Sequence, residues 1–163
     1  MPFFAPRLKT FDYVGEYRYS LTFCTPDRAR YFEDPETVRV TLAQIARASD
    51  SEGFDVPVYC FMPDHLHWLA IGRSGESQLP RLIKTSKQLS SYAYLQRTGR
   101  FLWQRSGWDR VLRNEEDTPV VITYILANPV RAGLVRSAED YPFSGSLTHS
   151  KDELFDFLRR ART

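Results

Sequence analysis

The segment His65-Leu66-His67-Trp68-Leu69-Ala70-Ile71 constrains the fold of this 163-residue chain more than any other. Its side chains alternate, with His65, His67, Leu69 and Ile71 on one side and Leu66, Trp68 and Ala70 on the other. A period of two is that of a β-strand, so both imidazoles should project from one sheet face, roughly 7 Å apart at the backbone. Met62-Pro63-Asp64 supplies a turn into this strand, and Val56–Phe61 reads as the strand before it. The chain has only three histidines, so finding two here points to a site.

Around that pair the sequence resolves into alternating elements. Tyr17, Tyr19, Leu21 and Phe23 alternate with polar residues, which predicts a half-buried strand. Asp34 as N-cap and Pro35 at the first helical position open a helix, with Val38, Leu42, Ile45 and Ala46 at helical spacing, ending near Gly53. Gly72 to Gly75 breaks the pattern. A second helix then runs from about Ser77, with Leu79, Leu82, Ile83, Leu89 and Ala93 as its apolar stripe. A short strand is expected near Arg110–Leu112. Thr118 caps a third helix with Pro119 at its first position; this helix carries Tyr124 and reaches Asn128, where Pro129 breaks it. Gly133 suits the turn that follows, and a final helix is expected around Asp152–Arg160. The order strand–helix–strand–strand–helix–strand–helix predicts an α+β fold: a ferredoxin-like antiparallel sheet with helices packed on one side, the third helix lying across the histidine face. Residues 1–163 read as one domain, with a core at about 15–146, an irregular N-terminal arm and a C-terminal tail.

Composition narrows the partners. With 42% hydrophobic and 26% charged residues the chain is not disordered, and no apolar run suggests a membrane span or signal peptide. Cys24 and Cys60 have neither metal-finger nor disulfide spacing, so the expected compartment is the reducing cytoplasm. The net charge is only +2, but it is uneven. Arg81, Lys84, Lys87, Arg97, Arg100, Arg105, Arg110 and Arg113 face Asp109 alone within residues 81–114. That local excess of seven leaves the rest of the chain at −5. Such a stretch is the footprint of a polyanion partner, or else a solvated helix face.

Two imidazoles with oxygen ligands suit Mg²⁺, Mn²⁺ or Zn²⁺, and Asn128 is a candidate third ligand. It stands four residues after Tyr124, so on one helix face a metal at His65, His67 and Asn128 would lie near that phenol. A metal-assisted tyrosine is suited to phosphodiester cleavage, leaving a 5′-phosphotyrosine and a free 3′-hydroxyl. Tyr92 and Tyr94 are rival nucleophiles from spacing alone. Tyr124 could equally be a packing residue and Asn128 a helix terminator. Trp68, Trp103 and Trp108 are either core residues or, where exposed, base-stacking platforms.

Met62-Pro63-Asp64-His65-Leu66-His67 and Tyr124-Ile125-Leu126-Ala127-Asn128-Pro129-Val130-Arg131-Ala132-Gly133-Leu134-Val135 together carry a resemblance. Trp108–Arg113 and Tyr141-Pro142-Phe143-Ser144 add weaker matches in the same order. The chain resembles the single-tyrosine HUH transposases of small insertion sequences, and most closely their domesticated branch, the REP-associated tyrosine transposases. The resemblance implies a DNA-cleaving and strand-joining enzyme, with His65 and His67 as metal ligands and Tyr124 as nucleophile. Asn128 matches the polar position that completes the family's metal site. It also implies a divalent cofactor, Mg²⁺ or Mn²⁺, a hairpin of palindromic repeat DNA as substrate, and a monomer or homodimer. The alternatives are a catalytically retired DNA-binding protein that recognises palindromic repeats, and a phosphodiesterase that uses water as nucleophile.

Overall fold

The computed structural model describes residues 12–105, 108–112 and 117–161, with only the backbone described at 108–112 and 117. The N-terminal arm expected before residue 12, and Arg113, lie outside the described residues.

Strand β1 (Arg18–Cys24) leads through two 3-10 turns, Pro26–Arg28 and Tyr31–Glu33, into α1 (Pro35–Glu52). The Asp34 carboxylate accepts from the Glu36 amide at the start of α1, and Gly53 ends the helix in the left-handed region at φ 76. Strands β2 (Phe54–Met62) and β3 (His65–Gly72) form a hairpin around Pro63-Asp64. Helix α2 (Leu79–Thr98) then returns the chain to β4 (Trp108–Leu112). The sheet order is β4-β1-β3-β2-β5, with every neighbouring pair antiparallel. Its first four strands have the ferredoxin-like order, and β5 (Ser144–Gly145) extends the β2 edge.

The alternation read from the sequence divides the sheet as expected. Tyr19, Leu21, Phe23, Leu66, Trp68 and Ala70 enter one core, which α1 and α2 cover. Trp68 is fully buried and meets Phe23 edge to face at 5.4 Å. Burial of each such large side chain contributes about 1.5–3 kcal/mol. Val58, Cys60, Met62 and Leu69 belong to a second core on the other face. There α3 (Asp117–Leu126) inserts Val121, Ile122, Ile125 and Leu126, and α5 (Lys151–Ala161) adds Leu154, Phe155 and Leu158.

Helices therefore cover both faces rather than one, which corrects the one-sided expectation. The physical reason is the composition of the histidine face. Apolar Val58, Met62 and Leu69 need cover, and α1 and α2 already pack on the opposite side.

Other local readings also change. Tyr17 precedes β1 and is 43% exposed, so the buried alternation begins at Tyr19. The buried side of α2 is Leu79, Leu82, Ser86, Ser90 and Tyr94 rather than a stripe through Leu89 and Ala93. Trp103 is buried, its indole N–H donating to Ser90 Oγ at 2.8 Å, so the buried Ser90 is satisfied by a neighbouring aromatic. Helix α3 begins at Asp117, and Thr118, inside its first turn, accepts from Arg18 at 2.5 Å. The helix ends at Leu126, before Asn128, and a short α4 (Asn128–Arg131) follows.

Candidate metal and nucleophile site

Strand β3 is the central strand of the five, and it holds His65 and His67 at its turn-proximal end. The rings meet edge to face with centroids 4.7 Å apart. Each Nδ1 has its own partner. His65 Nδ1 lies 2.6 Å from Asp64 Oδ1, and an ionised carboxylate can only accept, so this ring carries its proton on Nδ1. Its lone pair is then on Nε2. His67 Nδ1 lies 2.9 Å from Thr22 Oγ1. A hydroxyl both donates and accepts, so this ring too can hold its proton on Nδ1 and present Nε2.

The register explains the second contact, because Thr22 on β1 and Cys60 on β2 flank His67 directly. Asp64 is held in turn by Arg28, whose Nε donates to Oδ2 at 2.8 Å. Burial acts to raise the Asp64 pKa, but hydrogen bonds from His65 and Arg28 outweigh it and keep the carboxyl below its ordinary value.

Both rings are kept neutral. Burial lowers the His65 pKa, against the opposing pull of Asp64. For His67 burial acts first, then the neighbouring His65 and the charges of Arg131 and Arg28, to bring it down to about 3. A neutral imidazole whose other nitrogen is fixed by a carboxylate or hydroxyl is the form that binds a divalent cation. The donor set thus fits a metal at His65 and His67. Burial pushes the Cys60 thiol up to about 12, so beside His67 it packs as a small apolar group.

Tyr124 is on α3, the helix packed over this same face. Pro129 has no N–H for the Ile125 carbonyl four residues earlier, and the Asn128 amide Nδ2 donates to that carbonyl instead, at 3.2 Å. Asn128 Oδ1 accepts from Arg131 at 2.6 Å. Both ends of the amide are thus engaged at the α3–α4 junction. The same guanidinium donates to the Tyr124 carbonyl at 2.9 Å and lies 4.0 Å from the Tyr124 ring centroid. Arg131 therefore joins Tyr124, Asn128 and the charge around His67. Among the described residues, no cluster of three or more His, Cys, Asp or Glu offers a further ligand set.

The basic stretch is arranged differently. Helix α2 packs on the face opposite the histidines, and its charges are partly matched by carboxylates from α1. Arg81 pairs with Glu52 at 3.2 Å, and Arg97 pairs with Asp34 at 3.3 Å. Lys87 lies over the Phe23 ring, and Lys84 and Arg105 are exposed. Arg100 lies over Tyr31, while the Arg110 side chain is not among the described ones. A charge count along the sequence cannot see neutralisation by another helix. Tyr94 is buried in the core beside Tyr31, whereas Tyr92 is exposed. Trp68 and Trp103 are core residues rather than stacking platforms.

The sequence reading missed Thr22, Asp64, Arg28 and Arg131. Arg131 had a readable signal, since Tyr124, Asn128 and Arg131 stand at i, i+4 and i+7. Asp64 had its place next to His65. Thr22 needed the β1–β3 register, and Arg28 needed a turn with φ 55, and neither is written locally.

An antiparallel ferredoxin-like sheet with a histidine pair on one face, and a tyrosine-bearing helix over it, defines a class of DNA-processing transposases. The family model described as "Transposase IS200 like" matches residues 13–125, a span that includes both histidines and Tyr124, and the chain belongs to that family. It is 27% identical over 101 residues to the REP-associated tyrosine transposase of Escherichia coli K12, covering 61% of this chain and 59% of that protein. Over 113 residues it is 27% identical to a Haemophilus influenzae protein provisionally given the same name, covering 63% and 64%. The chain thus spans about six-tenths of the length of these curated relatives. A solved REP-associated tyrosine transposase bound to a REP hairpin has the same fold, with a TM-score of 0.69 and 20% identity over 86% of this chain and 82% of that one. No described helix is long and apolar enough to cross a membrane.

Proposed function

We propose that this chain, acting as one domain in the cytoplasm, nicks and rejoins single-stranded or hairpin DNA through a covalent tyrosine intermediate. The Tyr124 oxygen attacks a backbone phosphorus in line. The new O–P bond replaces the P–O3′ bond, the phenol gives its proton to solvent, and the 3′-oxygen leaves as a hydroxyl. Attack by another 3′-hydroxyl reverses these changes, joins two strands and frees the tyrosine. The phosphotyrosine conserves the bond energy, so no nucleoside triphosphate is needed.

The observation that carries this reading is the anchoring of both imidazoles through Nδ1 on the face that α3 covers. His65 and His67 would hold Mg²⁺ or Mn²⁺ through Nε2. Asn128 is the proposed third donor through Oδ1, which keeps a second lone pair beside the one that accepts from Arg131. When bound, the cation would supply positive charge to the phosphate oxygens. Asp64 and Thr22 orient the rings, and Arg131 holds the Tyr124 ring and backbone in place. The proposed DNA partner is a palindromic-repeat hairpin, bound by a monomer or homodimer.

A second reading, a protein that binds such repeats without cutting them, is favoured by the engagement of both ends of the Asn128 amide. One experiment separates the two. Labelled hairpin DNA with single-stranded arms is incubated with the chain and Mn²⁺, then run on a denaturing gel. A covalent adduct that Tyr124→Phe abolishes supports the enzyme, whereas hairpin retention on a native gel with no adduct supports the second reading.

A further inference from the structure

A cavity of about 390 Å³ lies where the segment after β1 meets the end of α2. Arg30, Arg97 and Arg100 line it, together with Tyr31, Tyr94 and Asp34. Two separate pieces of chain deliver the cations. Arg30 sits between the two 3-10 turns, Arg97 is in the last turn of α2, and Arg100 follows Gly99. Gly99 has φ +74, and this left-handed step turns the chain back so that Arg100 lies over the Tyr31 ring, 5.9 Å from its centroid.

The single carboxylate in the lining is already in use. Asp34 caps α1, accepts from the Thr37 hydroxyl at 2.9 Å and pairs with Arg97. Arg30 pairs with Glu33, an exposed contact on the surface. Among the described residues no carboxylate pairs with Arg100. Cations near a helix C-terminus also offset its dipole, which accounts for Arg97. It does not account for Arg30, which comes from another element, or for the concave shape they share.

The cavity is also connected to the histidine site. The segment that carries Arg30 and Tyr31 is bound to the turn before the histidines. Thr25 N–H donates to the Asp64 carbonyl at 3.1 Å, and Phe32 N–H donates to the Pro63 carbonyl at 3.0 Å. Two residues before Arg30, Arg28 reaches Asp64, the partner of His65. One ordered segment therefore carries both Arg28, which holds the partner of His65, and Arg30, which lines the cavity.

We infer that this cavity is a second contact for the DNA substrate, in which Arg30, Arg97 and Arg100 take a phosphodiester of the single-stranded arm other than the cleaved one. Guanidinium groups offer paired donors to phosphate oxygens, and the half-buried Tyr31 provides an aromatic wall beside them. The inference rests on the DNA-processing reading above.

The test measures binding of labelled hairpin DNA, with and without single-stranded arms, across a salt series. The variant is Arg30→Ala/Arg100→Ala, which leaves Arg97 and its ties to α1 intact. The control, Arg47→Ala/Arg159→Ala, removes two cations from other surfaces. Expected for the armed hairpin is about 5- to 10-fold weaker binding, with the salt slope reduced by roughly 0.7 per lost contact. The blunt hairpin and the control variant should show no such change. Equal loss on both hairpins, or none on the armed one, overturns the inference while leaving the DNA reading standing. Displacement of the arm by millimolar dTMP, seen only with intact Arg30 and Arg100, would assign the cavity to a free nucleotide and also overturns it. If the wild-type chain binds neither hairpin, the DNA reading itself fails and this inference falls with it.

Discussion

His67 depends on Thr22 and His65 on Asp64, and those two contacts decide which ring nitrogen is offered to a ligand. Removing either partner leaves the imidazole in place but frees its tautomer and its rotation. Thr22→Val keeps the branched shape of the strand residue and deletes the hydroxyl. Asp64→Asn keeps the size and removes the charge that Arg28 also uses. Each should weaken Mn²⁺ binding by about 10- to 100-fold while the fold persists. Titration calorimetry with Mn²⁺ checks this, with circular dichroism as the folding control. An unchanged affinity in both variants would mean that the Nδ1 contacts do not shape the site.

At the scale of elements, the α3–α4 junction matters most. Pro129 breaks the backbone ladder, the Asn128 amide repairs it at Ile125, and Arg131 spans back to Tyr124. Helix spacing placed Tyr124 and Asn128 on one face, and that reading treated Pro129 only as a stop. The repair followed from a missing N–H, which spacing does not record. Asn128→Asp separates the structural role from the ligand role. Asp cannot donate to the Ile125 carbonyl, so if capping dominates, stability should fall by about 1 kcal/mol in urea unfolding. If Asn128 also supplies the third ligand, the same variant should bind Mn²⁺ more tightly, since a carboxylate is the better oxygen donor. A drop in stability with no gain in affinity would identify the residue as a cap alone.

For the whole molecule, buried histidines tie stability to pH. The folded-state pKa of His67, about 3, lies below its ordinary value of 6.5, so the unfolded chain takes up that proton first. Stability from this group is complete above about 6.5 and is lost progressively as the pH falls toward 3. His65 is shifted the same way. The urea midpoint should therefore drop between about pH 7 and pH 5, and His67→Gln should flatten that slope. Equal slopes in the two proteins would contradict the buried neutral state.

The order of strands and helices was readable because β3, β1 and α1 each carry a local signature: alternation, or a cap with proline. What lay beyond the sequence was long-range. It included the β1–β3 register that brings Thr22 to His67, the carboxylates of α1 that neutralise part of α2, and the choice of sheet face for each helix. The central claim joins these scales, since it requires a tyrosine on α3 to work with imidazoles on β3. Peptide mass mapping after incubation with hairpin DNA and Mn²⁺ tests it directly. The account predicts a nucleotide phosphate attached to the peptide containing Tyr124, and none when His65 and His67 are replaced by alanine. An adduct on Tyr92 or another residue, or one on Tyr124 that survives loss of both histidines, would contradict it.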